Sequence, residues 1–103
     1  MNPTVYRNKS KGLRILKMVE ITRRVTEEDR ERAQRLLRKV EKRLSQMECR
    51  SVKVDGVSCS RADLEGIADV WVPAILEDRL EEFSRPFENE GKVLKANGLN
   101  FWN

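Results

Sequence analysis

Histidine is absent from this chain, and cysteine occurs twice in 103 residues, at Cys49 and Cys59. Without an imidazole the chain lacks the side chain that most general acid–base catalysts use. Two thiolates cannot fill a four-ligand zinc site without carboxylate help. The five glycines form no glycine-rich phosphate loop, and the carboxylate pairs Glu77/Asp78 and Glu81/Glu82 sit in a stretch charged throughout, where solvation accounts for them. The expectation is therefore a protein that is not an enzyme, with no metal, no cofactor and no small-molecule substrate.

Long apolar runs are also missing. The longest uncharged one is Val70 to Leu76, far short of the ~18 residues that a membrane helix needs, so no membrane partner is expected. A secretory leader is not expected either, because Arg14, Lys17 and Glu20 interrupt what would be its apolar region. That favours free thiols over a Cys49–Cys59 disulfide. An intracellular, cytoplasmic location follows as an expectation, with nuclear or organellar ones left open.

What is abundant is charge. Asp, Glu, Lys and Arg make up 37% of the sequence and the net charge is +4, but the two halves differ. Residues 1–50 carry 15 Lys/Arg against 7 Asp/Glu, a net of +8, whereas residues 51–103 carry 6 against 10, a net of −4. Such polarity suits either a polyanion partner for one side or charge-complementary packing.

The most legible segment is 26–47. Thr26 is suited to an N-cap, and Glu27, Glu28 and Asp29 place negative charge in the first turn, where the helix dipole favours it. Ala33, Leu36, Leu37, Val40, Leu44 and Met47 recur at three- and four-residue steps and form one apolar stripe. Glu28/Arg32 and Glu31/Arg35 stand four apart in the favourable order. Arg38, Lys39, Lys42 and Arg43 leave a basic ridge with only Glu41 among them. It reads either as a phosphate-binding surface or as cations complementing the C-terminal end of the dipole.

Residues 1–12 read as a flexible basic arm holding Arg7, Lys9 and Lys11 around Tyr6, and residues 13–103 as a single globular domain. Leu13, Ile15, Val19 and Ile21 have strand spacing, so 13–25 is expected to be a strand. The alternative is an amphipathic helix, which would make 1–25 resemble an organellar presequence. Asp55-Gly56 between alternating apolar residues predicts a hairpin over 51–59 in which Val54 faces Val57 and Val52 faces Cys59, making Cys59 a core residue.

Ser60 with Asp63 predicts a capping box for a second helix burying Leu64, Ile67, Ala68, Trp71 and Ile75. Pro73 should kink or restart that helix, with Val72 extended, and the restarted segment should bury Leu76, Leu80 and Phe83. Residues 84–91 read as a loop. Asn97-Gly98 then suggests a hairpin over 92–102, the alternative being a helical turn ended by Gly98. Phe101 and Trp102 either dock back on the domain or insert into a partner.

These elements make an α+β fold, a small two-layer domain with helices packed on a short antiparallel sheet; the alternative is mostly α with one hairpin. The function expected is a small basic RNA-binding or ribonucleoprotein-associated protein that contacts phosphates through its N-terminal half. Its contact residues would be Arg7, Lys9, Lys11, Arg14, Lys17, Arg23, Arg24, Arg38, Lys39, Lys42 and Arg43, with Tyr6 stacking on a base. The alternative is an adaptor binding a protein through its acidic 77–90 region, with Phe101 and Trp102 as the protein-binding residues.

Overall fold

The computed structural model describes residues 21–102. They form an α+β domain: α1 (Glu27–Ser45), β1 (Ser51–Val54), β2 (Val57–Ser60), α2 (Arg61–Gly66), a π-helical turn (Ile67–Trp71), α3 (Val72–Leu76), a 3-10 turn (Leu80–Glu82) and α4 (Glu88–Ala96). The helices pack on the antiparallel hairpin, α2 and α4 against β2 and α1 against β1. One hydrophobic core runs through all of these elements.

At the start of α1 the Thr26 hydroxyl accepts from Asp29 N at 3.1 Å, and Asp29 Oδ2 accepts from Thr26 N at 2.8 Å. This reciprocal capping satisfies two of the N–H groups that a helix start leaves without partners. Ala33, Leu36 and Val40 lie fully buried on the inner face, as their spacing requires. The helix ends at Ser45 with Gln46 as C-cap, two residues short of the expected Met47.

The hairpin has the expected register, Val52 opposite Cys59 and Val54 opposite Val57. Asp55 and Gly56 both take positive φ, 51° and 82°, which is what a two-residue turn of this hand demands. Burial pushes the Cys59 thiol above its ordinary pKa, and the nearby Asp63 charge adds to the shift. Ser60 and Asp63 form the second capping box.

Pro73 does not break the helix. Val72 stays helical (φ −63°, ψ −48°) instead of extended, and its N–H reaches Ile67 O five residues back. Widening one turn to π geometry accommodates the proline while the backbone continues, and it keeps Trp71, Val72 and Ile75 in the core. The helical path stops at Leu76, however, so the expected restarted segment through Phe83 does not form. Asp78 adopts φ +56°; Arg79 N donates to Ala74 O at 2.8 Å and Asp78 N to Ile75 O at 3.3 Å. This is a Schellman ending with aspartate in the left-handed position that glycine usually holds.

The expected hairpin over 92–102 is also corrected. Residues 88–96 are helical, and the turn ends with Gly98 at φ +76°. Leu99 N donates to Leu94 O at 2.8 Å and Gly98 N to Lys95 O at 3.0 Å, which repeats the Schellman pattern and returns Leu99 to the core. The loop expected over 84–91 therefore gives way to α4 at Glu88.

Buried Glu90 fastens α4 to the rest of the domain, accepting from Trp71 Nε1 at 3.0 Å and from Phe87 N at 2.9 Å. Gly66 faces it so closely that a Cβ there would overlap Glu90 Oε2. Beyond α4 the chain runs back through the core to pair with the segment entering α1: Ile21 bridges Trp102 in antiparallel fashion, and Thr22 N donates to Phe101 O at 2.8 Å. Of the strand expected over 13–25, only this last portion falls among the described residues, and there Ile21 alone makes a bridge.

Candidate nucleic-acid interface

The expected contact residues Tyr6, Arg7, Lys9, Lys11, Arg14 and Lys17 lie outside the described residues. The remaining six separate into two groups. Arg23 is committed to the fold. Its guanidinium grips Asp29 with two bonds, Nη1 to Oδ2 at 2.6 Å and Nη2 to Oδ1 at 3.1 Å, and Nη2 also reaches Gly98 O at 3.2 Å. Its Cζ stands 4.2 Å from the centre of the Phe101 ring, in cation–π contact. An arginine with two carboxylate bonds, a carbonyl and a ring has little left to offer a phosphate. It is a structural residue, contrary to expectation.

Lys39 is likewise engaged, with both Asp55 oxygens at 2.9 Å and Asn97 Oδ1 at 3.3 Å. Burial opposes ionisation of Asp55. The hydrogen bonds from Lys39 and Asn97, together with the charges of Lys39 and Arg43, outweigh it and hold the carboxyl below its ordinary pKa. Here a carboxylate from the acidic half neutralises part of the basic ridge.

Arg24, Arg38, Lys42 and Arg43 differ. Each is exposed, and none makes an ion pair or side-chain hydrogen bond among the described residues. At 100° per residue Arg35, Arg38 and Lys42 fall on the side of α1 opposite the buried Leu36 and Val40, in a row about 10 Å long. Arg35, which the sequence assigned to Glu31, is exposed and makes no such pair in the structure. The four-residue spacing from Glu31 hides Arg35's membership of this row, because that spacing implies an internal partner. Beside the row a groove of about 350 Å³ opens between α1 and the end of α4, lined by Arg32, Arg35, Lys39, Ala96 and Asn97; Arg32 pairs with Glu28 at 2.8 Å, and Lys39 and Asn97 both reach Asp55. Arg24 lies beyond the other end of α1, next to Asp78 and Glu81 around a separate depression.

The residues expected to bind protein are placed in the core. Phe101 is 0% and Trp102 7% exposed. Phe101 meets Trp102 edge-on at 5.9 Å, and Trp102 meets Trp71 at 5.4 Å. Their apolar area is spent on packing because the Schellman ending of α4 turns the chain inward. Glu77 and Glu82, from the acidic stretch, both pair with Arg79, at 2.9 and 3.2 Å.

Both cysteines are free, Cys49 exposed and Cys59 buried. No group of three or more Cys, Asp or Glu side chains among the described residues is placed to hold a metal ion. No described helix is long and apolar enough to cross a membrane. No protein-family model matches the chain, and comparison with curated proteins and with solved structures gives no match.

Proposed function

We propose that this chain is a non-enzymatic, intracellular RNA-binding or ribonucleoprotein-associated module that holds phosphates on the outer face of α1. The observation that carries the reading is the row Arg35, Arg38 and Lys42: three exposed cations on consecutive turns, with no carboxylate partner among the described residues. Arg43 stands beside the row, whereas in the groove toward α4 the cations Arg32 and Lys39 are already paired with Glu28 and Asp55. Guanidinium and ammonium groups at this spacing neutralise successive phosphates and release their counterions. Nothing in the row reads a base edge, so binding is governed by backbone charge and shows little sequence preference.

The test is a pair of charge reversals, Arg38→Glu with Lys42→Glu. Both side chains are exposed, so the fold is unaffected. At low salt the double variant binds RNA at least about tenfold more weakly, and the slope of log affinity against log salt falls by about one for each lost cation. An unchanged slope in a filter-binding titration refutes the reading.

A further inference from the structure

Phe87 stands out among the described residues as an exposed large hydrophobic side chain, 77% accessible. Its backbone is firmly held: Phe87 N donates to Glu90 Oε1 at 2.9 Å, and Gly91 N donates to Phe87 O at 2.8 Å. The ring is thus displayed from a fixed point at the start of α4. It lines a groove of about 310 Å³ together with Arg85, Pro86, Lys92, Lys95 and Trp102. Glu88 is the acid bordering this groove, and it is tied to Lys92 at 3.0 Å. Arg85 and Lys95 make no ion pair among the described residues. The last turn of α4 belongs to two grooves at once, since Lys95 lines this one and its neighbour Ala96 lines the groove beside the α1 row.

A solvent-facing aromatic ring bordered by uncompensated cations is the combination that binds unpaired nucleotides. The ring offers its face to a base, and the cations hold the phosphates on either side. The excess of positive side chains over the single acid in this groove favours a polyanionic occupant by charge complementarity. We propose that Phe87, Arg85 and Lys95 form a stacking subsite for a single-stranded segment of RNA. The subsite rests on the phosphate-binding reading above and deepens it. It gives the domain a preference for unpaired over duplex RNA, because a base inside a duplex cannot present its face to Phe87.

The deciding experiment compares wild type, Phe87→Ala and the α1 double reversal by fluorescence anisotropy. The probes are a labelled ten-nucleotide oligouridine, an RNA duplex and a ten-residue acidic peptide containing phenylalanine; circular dichroism verifies the fold of each variant. Phe87→Ala weakens the oligouridine about tenfold and leaves the duplex unchanged, while the double reversal weakens both. If Phe87→Ala binds oligouridine as wild type does, or weakens single strand and duplex equally, the stacking subsite is wrong and the α1 reading stands. Tighter, Phe87-dependent binding of the peptide overturns the subsite in favour of an acidic protein partner. Wild type that binds neither RNA at low salt overturns both readings.

Discussion

Replacing Phe101 by alanine lowers stability by about 4 kcal/mol, because a fully buried ring is exchanged for a cavity that the neighbouring side chains only partly fill. For a domain of this size that corresponds to a fall in Tm of roughly 15–30 °C. The loss has three sources. The apolar surface of the ring is given up, the edge-on contact with Trp102 disappears, and Arg23 loses the face on which it rests 4.2 Å away. The Thr22–Phe101 backbone bond is retained, so the side-chain contribution is isolated. Thermal denaturation followed by circular dichroism measures it. A drop below about 1 kcal/mol would mean that the C-terminal aromatics are not core, and would restore them as a surface for partners.

The second large effect belongs to Asp29, whose carboxylate is 1% exposed. Burial alone would raise its pKa. The hydrogen bonds from Arg23 and from the Thr26 backbone and hydroxyl, together with the Arg23 charge, overcome that and bring the value from 3.8 to about 2. The folded value is depressed relative to the unfolded chain, so the stabilisation is fully present above about pH 4 and is lost as pH falls through 2. It amounts to about 2 kcal/mol at neutral pH. Asp29→Asn preserves size and an acceptor for Thr26 but removes the charge. Urea denaturation at pH 7 therefore finds it about 2 kcal/mol less stable than wild type, a gap that closes between pH 4 and pH 2. A gap that persists unchanged at pH 2 would show that the Asp29 contribution is not ionic.

The parts of the fold legible in the sequence were those specified by neighbours along the chain. Thr26 and its acidic turn, Asp55-Gly56 with its valines, and Ser60 with Asp63 each carry their structural instruction within four residues. The parts that were not legible depend on distant packing. Asn97-Gly98 suits a hairpin turn and a helix ending equally, since both need positive φ at the glycine. The choice rests on Glu90 reaching Trp71 and on Leu99 returning to the core. Pro73 predicts a kink or restart with Val72 extended; the restart occurs with Pro73 in its first turn, but the single wide turn that keeps Val72 helical and Trp71 and Ile75 buried is invisible locally. Asp78 gave no glycine to mark the end of α3.

The candidate interface divides in the same way. The basic ridge was legible as a charge run, but its partition was not, because Lys39 is withdrawn by Asp55 in the hairpin turn; outside the ridge, Arg23 is withdrawn by Asp29 and by the Phe101 ring. Phe87 was hidden inside an apparent loop. The one available hint was Glu90 three residues on, which matches the acidic half of a capping pair.

The contact between Ile21 and Trp102 also bears on how the domain responds to mechanical tension. The two segments meet antiparallel. A force drawing residues 21 and 102 apart therefore falls on the two bonds that Thr22 N and Oγ1 donate to Phe101 O. Breaking the Thr22–Phe101 link loosens the edge of the core at Trp102, which packs on Trp71 and Phe101. Tryptophan emission under load would report that loosening.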